Sequence, residues 1–429
     1  MGGRDFQQMA KVTKVKGNKS SAGRGHSGVI LAVAILVGAV LIFGIALGVI
    51  AAVRRATALV YYNGIALDEG VTNYLASTYK SKYLAYLGSR TDLEELGVFP
   101  ADSEDFWSEE VPDGSGKLWA DLLYENTVSY IKSLAVKAYL FDRASGLTSE
   151  DRENINSLTE QVLSYRAGGS RDEFNKKSAD MGFDYSDFCT AQELIYKANR
   201  AGTATYGESG EVLSSDAYLS ICNEYYNSAY SHVKILFIRT EDEFVVDEDG
   251  NRIEGDGGDE LRELTEKERA ERQADIASIR AAIESLKNNG DEQMSPEYFD
   301  TFLSKYGYIT EYFTTGMYFS EKSSFTEEFG DESGGLAPIV YTALTMEVGE
   351  YSEVEWESGI CFVYRYENSE FGFLSSSVEA FFTDFYADAA EYVFTKSVSE
   401  LVQDVELGEG FDEIDLVALK YNWELVGEA

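Results

Sequence analysis

Histidine sets the tightest limit on the chemistry this chain can perform. There are two, His26 and His232, in 429 residues. A zinc site built on imidazoles, or a Ser-His-Asp triad, needs more histidine than that. The cysteines, Cys189, Cys222 and Cys361, are odd in number and include no C-x-x-C pair. That pattern argues against a disulfide framework, although a single bond among them stays open. No histidine can be named beside Cys361 to activate it as a nucleophile. The acidic turn 247–251 (DEDGN) fails as a calcium loop. Counted from Asp247, the sixth place is Arg252 where glycine is required, and the twelfth is Gly258 where glutamate is required. The loop 330–335 (GDESGG) lacks the Lys-Ser/Thr and the preceding strand of a phosphate loop. Neither a metal nor a cofactor is expected.

Charge narrows the partners. Residues 1–55 carry eight Lys or Arg and one Asp, a net +7, which leaves 28 basic and 74 acidic residues, a net −46, on the remainder. Such a body repels nucleic acid. It tolerates basic clients and divalent cations, and it also serves plain solubility.

Side chains this restricted must be positioned by elements that build surfaces. Residues 232–240 (HVKILFIRT) have the β-branched, apolar content of a buried strand. Residues 244–246 and 252–253 flank a hairpin tip. A charged helix is predicted over 260–287, with Leu261, Leu264, Ile276, Ile279, Ile283 and Leu286 inward, then a shorter helix over 296–306 and a strand over 315–319. Residues 339–346 form a short helix, Val348-Gly349-Glu350 a tight turn, and two strands follow, reversing at Glu357-Ser358-Gly359.

Both flanks read as helical. After a β-like Val60-Tyr61-Tyr62 and an Asn63-Gly64 turn, Asp68 caps a helix with Val71, Tyr74, Leu75, Tyr79, Tyr83 and Leu87 at helical spacing. Residues 92–117 read as an acidic loop. Helices are predicted over 118–144, 148–165, 172–181, 186–200 and 214–230, with 202–210 separating the last two. Residues 373–405 contain a long aromatic-rich helix, and 412–426 follow as another apolar segment. Left in water these would expose many aromatics.

The run 27–53 is uncharged and exceeds the roughly 20 apolar residues that span a bilayer. It is too long for a secretory leader and ends at Arg54-Arg55. Arg4, Lys11, Lys14, Lys16, Lys19 and Arg24 precede it, which predicts a cytoplasmic amino-terminal tail and an extracytoplasmic body.

The order strand, helix, helix, strand, helix, strand-turn-strand over 231–367 resembles a parvulin-type (PpiC) peptidyl-prolyl isomerase domain. The resemblance is carried by Ala343-Leu344, Val348-Gly349-Glu350-Tyr351-Ser352 and Glu357-Ser358-Gly359-Ile360-Cys361-Phe362-Val363. The flanks resemble the helical module of SurA/PrsA-type extracytoplasmic foldases. There the carrying residues are Tyr62-Asn63-Gly64, Asp68-Glu69, Ala144-Ser145-Gly146-Leu147-Thr148 and Phe174-Asn175. The resemblance implies an α+β protein with these parts: a basic tail (1–27), a transmembrane helix (28–53), a helical module (58–230), an inserted parvulin-like domain (231–367) and carboxy-terminal helices returning to the module (368–429). It also implies unfolded or nascent secreted polypeptides as partners, held in an aromatic-lined crevice.

One departure bears on activity. Parvulins usually carry a histidine on the first strand and another on the last, facing each other across the groove floor. Here the last-strand position is Cys361, and the first is Ile235 or Lys234 according to register, with His232 two or three residues early. Prolyl isomerisation needs no covalent step, only relief of a barrier of about 20 kcal/mol. Losing the histidines therefore removes a preorganised floor without forbidding catalysis. The groove residues the resemblance implies are Met317, Phe319, Ile339, Ser358 and Cys361, with His232 beside them, and weak or absent isomerase activity is expected. Two other readings are an active isomerase with a histidine-free groove and an envelope scaffold with a dedicated partner.

Overall fold

The computed structural model describes residues 52–247, 252–255, 258–288, 294–306, 316–322, 336–356, 359–421 and 425. The basic tail and all but the last two residues of the apolar run 28–53 lie outside them. So do Ser358, the 330–335 loop and most of the 247–251 turn. Among the described residues no helix is long and apolar enough to cross a membrane.

In chain order the elements are β1 (Val60–Tyr62), β2 (Ile65–Leu67), α1 (Glu69–Gly88), α2 (Thr91–Glu95), α3 (Glu104–Trp107), α4 (Trp119–Ala144), α5 (Ser149–Ala167), α6 (Arg171–Ser178), α7 (Tyr185–Tyr206) and α8 (Leu219–Ala229). There follow β3 (Ser231–Arg239), β4 (Asp242–Phe244), β5 (Leu261–Glu263), α9 (Glu266–Asn288), α10 (Pro296–Tyr306), β6 (Met317–Phe319), α11 (Ala337–Thr345), β7 (Tyr351–Trp356), β8 (Gly359–Tyr366), α12 (Phe385–Leu401) and β9 (Glu406–Leu407). They form two compact units.

Among the described residues, the first unit comprises 52–127, Arg166–Phe188, 405–421 and 425. Tyr62 pairs with Ile65, and the two residues between them, Asn63 at φ 44° and Gly64 at φ 99°, take the left-handed conformations a two-residue hairpin turn requires. Asp68 accepts from the Val71 N–H at 3.0 Å and starts α1 as its cap. The predicted acidic loop is partly helical instead. Ser103 caps α3, and α3 buries Phe106 and Trp107, the former stacked on Trp119 at 5.5 Å. The chain end returns here through β9, which pairs with β1 at Val60↔Leu407. Beyond it, the described residues up to 421 include the 3-10 turn Phe411–Glu413. The buried Lys80 of α1 ties that chain down by donating to the Val417 and Leu419 carbonyls at 2.7 and 2.8 Å and pairing with Asp102 at 2.6 Å.

The second unit comprises Val128–Tyr165 and Cys189–Asp404. Thr148 and Asp151 bond reciprocally at the start of α5. The helix α7 runs through Gly202 to Tyr206, past its predicted end at 200. The centre is a four-stranded antiparallel sheet in the order β6-β3-β8-β7. Strands β3 and β8 pair over their whole length, from His232↔Tyr366 to Arg239↔Gly359. Alternation sends side chains to two separate cores. Val233, Ile235, Phe237, Cys361 and Val363 face a core shared with α8, α11 and α12. Leu236, Ile238, Phe362 and Tyr364 face one shared with α9 and α10.

Two predicted helices are shorter than their patterns suggested. The charged helix begins at Glu266, because Thr265 and Glu268 form a reciprocal cap. Leu261, expected inward, is an exposed residue of β5, paired with β4; Leu264, Ile276, Ile279 and Ile283 are buried as expected, while the Leu286 side chain lies outside the described residues. The long aromatic helix begins only at Phe385. Phe371 at φ 54° and the 3-10 turns Gly372–Leu374 and Glu379–Phe381 precede it. These turns deliver Phe373, Phe381 and Phe382 to the core without helical periodicity.

Candidate functional site

Four of the residues the sequence assigns to a groove do come together, but not around open space. Met317, Phe319, Ile339 and Cys361 are all buried members of the core shared with α8, α11 and α12. Cys361 lies opposite Phe237 on β3 and Val354 on β7. Above this face sit aromatics from α8 and from the chain leading into α12, with Phe373 stacked on Phe385 at 4.3 Å. Of the two first-strand positions the sequence left open, Ile235 shares the Cys361 face and Lys234 the other. Ser358 lies outside the described residues.

His232 is on the Lys234 face, at the far end of the sheet from Cys361. Five residues along a strand separate it from Phe237, the partner of Cys361, which is about 17 Å. Its ring stacks on Tyr318 at 4.4 Å and 7° and lies 5.4 Å from Tyr366. Nδ1 is 3.5 Å from the Glu367 carbonyl, while Nε2 is buried with no hydrogen-bond partner among the described residues. Gly316, at φ +110°, is required there, because a Cβ would collide with Nε2. Burial pushes the imidazole down to about 4, with Lys234 adding to the shift and the Glu367 carbonyl opposing it. Next to it, Asp300 accepts from Lys234 and from the Tyr366 hydroxyl, each at 2.7 Å. This is a neutral, locked histidine with no reaching partner at Cys361.

A cavity of this unit lies at the exit of β8. It measures about 710 Å³ and is lined by Asn223, Asn227, Val348, Arg365, Glu367, Asn368, Ser369 and Glu370. The Val348-Gly349-Glu350 turn positions it. Gly349, at φ 85°, donates to the Arg365 carbonyl at 2.9 Å, and the Arg365 N–H donates to Glu350 at 3.0 Å. The Arg365 Nη1 donates to the carbonyls of Ala343 and Met346, at 3.3 and 3.1 Å, at the end of α11. No carboxylate among the described residues pairs with this guanidinium, and its Nε is buried without a partner. Burial lowers the Arg365 pKa, which records the cost of holding the cation there.

Asn368 donates from Nδ2 to the Tyr226 and Tyr230 carbonyls, at 3.4 and 3.0 Å. Those two acceptors fix the amide's orientation, so the group turned away is an oxygen, and it too is buried without a partner. An unpaired buried donor or acceptor costs about 1–3 kcal/mol. Asn223 accepts from the Phe371 N–H at 2.9 Å, leaving its amide donors uncommitted, and Asn227 one turn along α8 is exposed. Sequence reading missed this group. The available signals were an arginine inside the otherwise apolar run CFVYRY and two asparagines four residues apart on a helix.

No protein-family model and no curated protein matches the chain. Solved structures it resembles include PrsA from Bacillus subtilis, 9% identical with a TM-score of 0.19, over 70% of this chain and 91% of that one. Another is the peptidylprolyl isomerase PrsA from Bacillus cereus, 12% identical with a TM-score of 0.20, over 70% and 91%. A third is the foldase protein PrsA from Lactococcus lactis, 13% identical with a TM-score of 0.17, over 70% and 93%. Scores of this size carry no argument about fold or activity.

Proposed function

We propose that this chain is a membrane-anchored, extracytoplasmic folding factor. It holds unfolded secreted polypeptides, and its peptidyl-prolyl isomerase activity is weak or lost. The observation that carries the reading is the pairing of β3 with β8, two strands distant in sequence, with β4, β5, α9, α10, β6, α11 and β7 between them. Apart from the β4–β5 pair, this order is compatible with the parvulin resemblance. The basic tail and the apolar run 28–53 support anchoring, with the acidic body outside.

The loss of isomerase activity follows from the Cys361 face. Lowering the barrier to amide rotation requires a space that accepts a proline and favours its twisted form. Among the described residues, Ile235, Phe237, Cys361 and Val363 are all buried in the core and leave no open floor for a proline. Two assays test the reading. Aggregation of several unrelated denatured clients should be suppressed by the full chain, and protection of none would leave a scaffold for a dedicated partner. Turnover of a proline peptide should stay near the uncatalysed rate, and turnover matching histidine-bearing parvulins would overturn the claim of lost activity.

A further inference from the structure

From the cavity at the exit of β8 we infer that it is a binding site for the main-chain amides of an extended polypeptide. This rests on the folding-factor reading in one respect, that the ligand is an unfolded chain. The chemistry of the lining points to that class. Seven of the eight lining residues are polar or charged, and Val348 is the exception. The ligand is therefore recognised by hydrogen bonds more than by apolar burial. One guanidinium stands against two carboxylates, Glu367 and Glu370. An anion meets net repulsion, and a cation meets Arg365. A neutral group with both a donor and an acceptor fits, and the peptide amide is that group.

The uncommitted atoms are of both kinds. Arg365 is spoken for only at Nη1, where it caps α11. That capping role leaves its second terminal nitrogen uncommitted among the described residues, on a side chain that lines the cavity. Asn223 presents its amide N–H groups, because its oxygen is held by Phe371. Asn227, on the same face of α8, offers a carboxamide with one donor side and one acceptor side. Beneath them lie a buried donor, Arg365 Nε, and a buried acceptor, Asn368 Oδ1, both unpaired among the described residues. Carboxamides that pair with backbone N–H and C=O groups read no side chain. A factor that must accept many sequences needs that kind of contact.

The test uses the full chain in detergent micelles and a dye-labelled, end-capped neutral decapeptide of Gly, Ala and Ser. A second peptide of the same sequence carries methyl groups on alternate main-chain nitrogens. Fluorescence anisotropy should show the methylated peptide binding about tenfold more weakly, as expected when more than one hydrogen bond is lost. Asn227→Leu, at an exposed position, should weaken the unmethylated peptide about tenfold, and Arg365→Gln should do the same. Equal binding of both peptides, or no effect of Asn227→Leu, overturns the inference even if Arg365→Gln fails to fold. Aggregation suppression separates the two levels. If the unaltered chain and Asn227→Leu protect clients equally, the site falls and the folding-factor reading stands. If the unaltered chain protects none, both fall.

Discussion

The start and the end of β8 lie only a few residues apart, yet they meet opposite surroundings. At the start, Cys361 and Val363 are sealed against Phe237 and the aromatics around α12. At the end, Arg365 and the four residues after Tyr366 open on a cavity rich in amides. The resemblance in sequence draws attention to the first place, and the uncommitted hydrogen-bonding groups are at the second. One strand can thus be buried at its start and border a polar cavity at its end. A binding surface can then sit where the strand runs out of sheet.

The comparison breaks most readily at the sealed face. Replacing Phe385 by Ala removes a ring that is fully buried and stacked on Phe373. The expected loss is about 3–5 kcal/mol in a urea titration. A loss below about 1 kcal/mol would mean that the aromatic layer is loose and the face accessible. Cys361→His places a larger, polar ring at a fully buried position of the core. It should cost about 3 kcal/mol and leave proline-peptide turnover unchanged. A gain in turnover would show that a groove is present after all.

The locked histidine gives a pH test of intermediate size. The His232 imidazole lies at about 4 in the folded chain against an ordinary value of 6.5. Below 6.5 the unfolded chain binds the proton that the folded one refuses. The stabilisation is therefore complete above pH 6.5 and is lost as pH falls from 6.5 towards 4. Between pH 7 and pH 5 that amounts to about 2 kcal/mol. Urea titrations of the unaltered chain and of His232→Phe should differ by this much in their pH dependence, and parallel losses would place His232 in water.

The smallest expected effect on stability is at the open end. Asn227→Leu should change the unfolding free energy by less than about 0.5 kcal/mol, because the residue is exposed. Its effect should appear in client affinity alone. A large change in stability would mean that the asparagine holds the fold together instead of facing a ligand.

Local signals in the sequence were reliable where one residue determines one conformation. Asn63-Gly64 forms its turn, Asp68 caps its helix, and Val348-Gly349-Glu350 reverses the chain before β7. The helix over 296–306 follows its pattern to the residue. Reading failed where apolar residues reach a core through irregular chain. Phe373, Phe381 and Phe382 are spaced as if on one long helix, but 3-10 turns present them. Phe106 and Trp107 are hidden in an acidic stretch because only their fold partner, Trp119, reveals their burial. The sealed state of Cys361 was equally invisible. It depends on which elements cover the face, and periodicity along β8 reports only that a face exists. The cavity escaped notice because its residues come from α8, the turn before β7 and the chain after β8. Each is unremarkable alone.

The most direct measurement is an amide-resolved NMR titration of the isotope-labelled full chain with an unfolded client polypeptide. The account predicts shifts in the side-chain amides of Asn223 and Asn227 and in the main chain from Arg365 to Glu370, with Ile235, Phe237, Cys361 and Val363 unmoved. Shifts confined to the Cys361 face, with the asparagines silent, would contradict it.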